Sequence, residues 1–247
     1  MFPNLNLFGA AIATAPLVIL LGIWFGSSLS EKHATKFKTA PAEIYNLIFL
    51  LLLSFVIGGR LSYAAQHPAA FSADPRALIS RNFGLFDPFG GTAIALIAAL
   101  IYGQRKSLKL WPTLDALTPA IAVLMFAIPI ANLASGNAFG APTSLPWAIE
   151  LWGETRHPVQ VYEAIAAAGV LYWLWPSRLP KKGILSGTTF FKFVAASAFS
   201  RLIFEGLRGA SPINFLGFRT FQLIAWVILA AALTLLYYLY QPTSKPE

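Results

Sequence analysis

The sequence predicts an all-α integral membrane protein of about seven transmembrane helices. Two observations carry this. Of 247 residues, 57% are hydrophobic and only 11% charged, against roughly a quarter charged in an ordinary soluble domain. The apolar residues also gather in runs close to the ~20 residues that a helix needs to cross the hydrocarbon, separated by polar breaks.

Taken in order, the runs are Phe8–Leu29, Ile44–Ala65, Phe89–Tyr102, Ala116–Ser135, Gln160–Trp175, Leu185–Phe204 and Thr220–Tyr240. The third and fifth are short for a full crossing, which predicts tilt, extension by flanking residues or a partly re-entrant path. The first lacks a basic leader and a small-residue cleavage site and reads as a retained span. All seven belong to a single membrane domain, residues 1–247, with outer-face loops at 66–88, 136–159 and 205–219. No repeat of 20–50 residues is visible, which argues against a repeat array or an inverted-repeat transporter.

The net charge of +8 is first a statement about orientation. Lys32, Lys36, Lys38, Arg105, Lys106, Lys109, Arg178, Lys181, Lys182 and Lys245 fall in connections on one side. Only Arg76, Arg81, Arg156, Arg208 and Arg219 fall on the other. The positive-inside rule places the richer side in the cytoplasm, so the N-terminus lies outside and the C-terminus inside. The excess therefore gives no reason to invoke nucleic acid. With no Cys, disulfides and thiolate chemistry are excluded, the three scattered His argue against a histidine metal cluster, and no metal or cofactor is expected.

Ionisable groups within spans cost several kcal/mol and call for partners or a watery cavity. Four groups qualify, all at the outer side. Arg60 in GGRLSY (58–63) could grip a phosphate or carboxylate with its fork, or snorkel to the outer headgroups. In HPVQVYE (157–163), His157, Gln160 and Glu163 recur at three-residue spacing on one helical face behind Pro158, beside Tyr162. In RLIFEGLR (201–208), Arg201, Glu205 and Arg208 place a carboxylate between two guanidinium groups. That spacing serves a ligand site or a structural ion pair equally well. In ANLASGNAFGAPTSLPW (131–147), Asn132 and Asn137 offer amides while Gly136 and Gly140 permit unusual backbone. Lys192 is expected to snorkel inward. Their shared side predicts one outer-leaflet cavity, bordered by Arg60, Asn132, Gln160 and Arg201, of a kind that suits a phospholipid headgroup.

Those same stretches, in order, resemble the phosphatidylglycerol–prolipoprotein diacylglyceryl transferase family of bacterial membrane enzymes. GGRLSY is similar to its G-x-R-x-x-Y, NLASGNAFGAPTSLPW to the end of its N-F-x-N-G-E-x-x-G-x-P-T-x-L-P-W signature, HPVQVYE to H-P-x-Q-L-Y-E, and RLIFEGLR to R-F-x-x-E-F-x-R. The resemblance implies a multi-pass protein of the bacterial inner membrane with its site on the outer side. It also implies transfer of diacylglyceryl from phosphatidylglycerol to a lipoprotein cysteine, with release of glycerol phosphate. Mapped onto this chain, Arg201 and Glu205 become the catalytic candidates, with Arg60, Asn132, Gly136, Gly140, His157, Gln160, Tyr162, Glu163 and Arg208 as lipid-binding candidates.

Four positions depart from the family pattern. The Y-G tyrosine is Phe8, the histidine of H-G-G is Phe89, the arginine before the signature asparagine is Pro129, and the glutamate of N-G-E is Asn137. Loss of a general base typically costs 10²–10⁴-fold, and loss of a charge stabiliser a comparable amount. Asp87 and Arg81 are the nearby groups that could substitute. The expected function is therefore a degenerate relative that binds phospholipid and serves as an accessory subunit with other membrane proteins as partners. The alternative is an active transferase acting on a lipoprotein precursor. A transporter would need polar groups in the inner halves of the spans, and few are there.

Overall fold

The computed structural model describes residues 3–7, 10–80, 82, 84–179, 185–209 and 217–241. Seven long helices carry these residues: α1 (Thr14–His33), α2 (Pro41–Gln66), α4 (Pro88–Arg105), α5 (Leu110–Ser135), α6 (Val159–Trp173), α7 (Thr188–Glu205) and α8 (Thr220–Tyr240). A short α3 (Pro68–Ala73) lies between α2 and α4. Each long helix overlaps one expected span. Four segments, Thr14–Phe37, Pro41–Gln66, Leu110–Ser135 and Thr220–Tyr240, are long and apolar enough to cross a membrane. The expected short span Phe89–Tyr102 is extended at both ends, because Pro88 fits a first helical turn and the Asp87 side chain caps it by accepting from Phe89 N and Gly90 N. α6 remains short at 15 residues.

The all-α expectation needs amendment in two places. Helix was expected from Phe8, but Asn4–Leu7 (β1) and Ala10–Ala13 (β2) pair antiparallel, with Leu7 opposite Ala10, and α1 begins only at Thr14. An apolar run of this length does not separate strand from helix by periodicity. Phe8 and Gly9, on which the Y-G comparison rests, lie outside the described residues, as do Arg81, Lys181, Lys182, Lys245 and part of the 205–219 loop. A second hairpin, β3 (Ile149–Leu151) with β4 (Glu154–Arg156), occupies the 136–159 connection. Trp152 and Gly153 turn it with φ of 57° and 77°, the left-handed pair that a two-residue hairpin turn requires.

α5 is the central helix. It packs against α1, α6 and α7, while α2 pairs with α4 and α7 with α8. Ser30 of α1 accepts a hydrogen bond from Ala120 N of α5, which seats a polar group at the buried α1–α5 seam. The motifs GGR (58–60) and FGG (89–91) face each other across the α2–α4 seam. A Cβ on Gly90 would run into the Ser62 side chain, and one on Gly91 would lie 2.7 Å from Phe55 O. Small residues here let two backbones approach closely. Lys192 has its ammonium 5.9 Å from the Trp173 ring centre and 5.7 Å from that of Tyr240, close enough for attraction to both aromatic faces.

Candidate functional site

The end of α5, the start of α6, the end of α7 and the start of α8 meet at one end of the bundle. The i, i+4 spacing of Arg201 and Glu205 brings Arg201 Nε to 2.7 Å from Glu205 Oε2. Arg208 places its Nε 3.5 Å from the same oxygen. Its Nη2 donates to both oxygens of Glu163, at 2.6 and 2.8 Å. Arg201 Nη1 lies 3.9 Å from Glu163 Oε1, closing a ring of two arginines and two carboxylates. Glu205 is fully buried and the Glu163 side chain nearly so, whereas the Arg201 side chain keeps 37% exposure. Charges taken out of water need compensation of this kind. Arg201 is thus the member of the ring that can still meet a ligand, and it also stacks near Phe221 at 5.4 Å.

The loop after α5 holds this ring in place. Gly136 ends α5 in the left-handed region at φ 76°, and its carbonyl accepts from Trp152 Nε1 at 3.1 Å. The chain then threads between two others. Gly209 N donates to Phe139 O and Ala141 N to Leu207 O on one side. On the other, His157 N donates to Ala141 O and Thr143 N to Thr155 O. Gly140 lies where these strands cross, and a Cβ there would run into the carbonyl oxygen of His157. The GAPT stretch (140–143) therefore couples the Arg208 segment to the start of α6.

Of the remaining predicted residues, Gln160 is fully buried and its Nε2 donates to Asn137 O at 2.8 Å. Its Oε1 and the His157 Nδ1 are buried without a partner among the described residues. Tyr162 OH accepts from Trp147 Nε1 at 2.7 Å, and its ring meets His157 edge-on. Asn132 acts through its backbone carbonyl, which accepts from Asn137 N at 3.0 Å.

A cavity of about 380 Å³ opens beside the ring, between α5, α7 and α8. Glu163, Arg201 and Arg208 form its polar end, and its walls include Met125, Ile128, Pro129, Phe221, Ile224 and Ile228. Arg60, Asn132 and Gln160, expected to border one cavity with Arg201, are outside this lining. Arg60 donates to Ser80 O at 2.8 Å and Leu85 O at 3.1 Å, so its fork pins the 66–88 loop. Asp87 accepts from Ser62, Gln66, Phe89 N and Gly90 N, and those donors, the Ser62 hydroxyl foremost, hold its carboxyl below the usual range. It closes a helix end and is not in the cavity lining. Phe89 is 87% exposed and also outside that lining, whereas Pro129 lies in the wall. The sequence reading missed the apolar wall on α8. Its signal was the spacing of Phe221, Ile224, Ala225 and Ile228, which share one helical face.

An apolar helical bundle with an arginine–glutamate ring at the mouth of a greasy cavity is the architecture of a polytopic membrane protein with a polar site at one end. A family model for prolipoprotein diacylglyceryl transferase matches residues 4–238, and the chain belongs to that family. It is similar to the phosphatidylglycerol–prolipoprotein diacylglyceryl transferase of Solidesulfovibrio magneticus, 31% identical over 156 residues, 60% of this chain and 59% of that protein. The enzyme of the same name from Nitratidesulfovibrio vulgaris is 29% identical over 212 residues, 82% of this chain and 78% of the relative. That of Finegoldia magna is 26% identical over 233 residues, 93% and 92% of the two chains.

Proposed function

We propose that this protein binds a phosphatidylglycerol-like phospholipid in the α5–α7–α8 cavity. The phosphate meets Arg201, and the acyl chains lie along Met125, Ile128, Ile224 and Ile228. The observation that carries this reading is the cavity's asymmetry: Glu163, Arg201 and Arg208 stand at one end, and apart from Ser197 and Ser200 the rest of its lining is apolar. Amphipathic ligands demand that division. The seven long helices cross a bacterial inner membrane with the N-terminus outside and the cavity towards the outer leaflet, as the distribution of Lys and Arg supports.

The chain works as a lipid-holding subunit alongside other membrane proteins and has lost the family's usual chemistry. The described cavity lining contains no His, and Pro129 stands in its wall where the family pattern has an arginine. Thiol attack needs a base, and the leaving phosphate needs compensating charge. Here the charge of Arg208 is already answered by Glu163 and Glu205. The test supplies purified protein with phosphatidylglycerol and a lipobox peptide. Retained phosphatidylglycerol without glycerol phosphate release is the expected result, and release at the rate of an active relative would overturn the loss of catalysis.

One observation favours the active-transferase reading instead: Glu163, a carboxylate in the cavity wall, sits within reach of both arginines. In that case Glu163→Gln would abolish glycerol phosphate release while phosphatidylglycerol remained bound.

A further inference from the structure

A second polar cavity lies at the far end of α5, about 26 Å from the first by helical rise between Pro112 and Pro129, which line the two. It measures about 290 Å³, and its lining includes Lys38, Thr39, Ser107, Lys109, Thr113 and Ser186. These residues come from the α1–α2, α4–α5 and α6–α7 connections and the first turn of α5, so three separate connections border one open recess, with Lys38, Ser107, Lys109 and Ser186 exposed at its rim. Lys38 and Ser107 are held in the left-handed region at φ 59° and 52°, which fixes the two turns that shape it.

The charges in this cavity are not compensated in the way the first cavity's are. The side chains of Lys38 and Lys109 make no ion pair or hydrogen bond among the described residues. The neighbouring carboxylate is Asp115, which lines an adjoining recess with Lys36, Lys38 and Ser186. Its two oxygens accept from Gly187 N at 2.5 Å and Phe190 N at 2.8 Å, and so face the start of α7. The Lys36 ammonium donates to Pro176 O and Leu179 O. The hydroxyl protons of Thr39 and Thr113 go to backbone carbonyls, which leaves the two ammonium groups as the strong donors. Two uncompensated cations on a recess of headgroup size favour an anion with several acceptor oxygens.

We infer that the cavity lined by Lys38 and Lys109 is a second anion site, taking a phosphate group. That group is either the headgroup phosphate of an anionic phospholipid in the leaflet at this end or free inorganic phosphate. The site is separate in place and in residues from the cavity at Arg201, and the inference does not depend on what that cavity holds.

The test is native mass spectrometry of the full-length protein in detergent, titrated with phosphatidylglycerol and, in a parallel arm, with phosphatidylcholine. The starting form is Arg201→Gln, which removes the cation that faces the first cavity. This form is expected to retain one phosphatidylglycerol in preference to phosphatidylcholine, with retention about five-fold weaker for each of Lys38→Gln and Lys109→Gln added. Lys38→Arg with Lys109→Arg keeps the charge and should restore retention, which separates a charge effect from a folding defect. In a third arm, stabilisation of the lipid-free protein by inorganic phosphate, lost in the double glutamine variant, would assign the site to free phosphate. Unchanged lipid retention and no phosphate-dependent stabilisation in the native residues would overturn the inference. Failure of the first cavity to bind lipid shows separately, as an Arg201→Gln form whose lipid count equals the native one.

Discussion

Arg208 holds both carboxylate oxygens of Glu163 across 45 residues of sequence, at 2.6 and 2.8 Å, with each side chain less than 15% exposed. This clamp joins the chain after α7 to the first turns of α6, so the polar end of the cavity is fixed by a contact that neither helix could make alone. Removing one partner of a buried pair leaves an uncompensated charge and costs about 3–5 kcal/mol. Glu163→Gln and Arg208→Gln should each lower the melting temperature in detergent clearly. The double variant should cost less than their sum, because it removes both charges. Arg208→Lys keeps the charge but not the fork, and should retain only part of the stability.

Gly140→Ala tests the stitched loop. The added Cβ would run into His157 O, a backbone atom that is itself anchored through the His157 N to Ala141 O bond. Neither partner can yield cheaply, so a loss of about 1–3 kcal/mol is expected, read as a lower melting temperature. Lipid retention should fall with it, since the same loop positions Arg208, whose pairs with Glu163 and Glu205 hold the ring in which Arg201 sits.

Filling the first cavity should separate binding from stability. Ala225 lies buried in its wall, and Ala225→Phe would project into empty space instead of overpacking a full core. The expected outcome is a change in melting temperature corresponding to less than about 1.5 kcal/mol, with retained phospholipid reduced at least about ten-fold. Unchanged lipid retention would place the lipid elsewhere.

The α4 cap makes a pH prediction. The Asp87 carboxyl is held below its ordinary range, first by the Ser62 hydroxyl and then by Gln66 and two backbone N–H groups. A carboxyl with a depressed folded value contributes stability that is fully present above its unfolded value and lost as pH falls through the folded one. Native protein should therefore lose melting temperature on the acid side of the carboxylate range. Asp87→Asn should start lower at neutral pH and lose less over that same acid range. Parallel melting profiles of the two forms would show that Asp87 makes no such contribution.

Much of the fold was legible in the sequence because membrane-spanning segments are constrained by solvent. Each apolar run expected to be a span does overlap a long helix, and the spacing of Arg201, Glu205 and Arg208 does place Glu205 between two cations. Periodicity could not separate the Asn4–Ala13 hairpin from helix, because a short apolar run satisfies both. Nor could it separate Arg60 from the cavity residues, since any arginine near a helix end reads alike until its acceptors are known; these proved to be Ser80 O and Leu85 O.

The sequence by itself determined the family, the apolar helices and the charge asymmetry of their connections, all of which depend on local composition and order along the chain. Only the tertiary structure decided that Glu163 belongs to Arg208 and that Asp87 is a helix cap. It alone set Pro129 in the cavity wall and Phe89 outside the lining. Those are outcomes of which faces of α5, α6, α7 and α8 turn towards one another, and packing between helices sets that rotation through side chains far apart in the sequence.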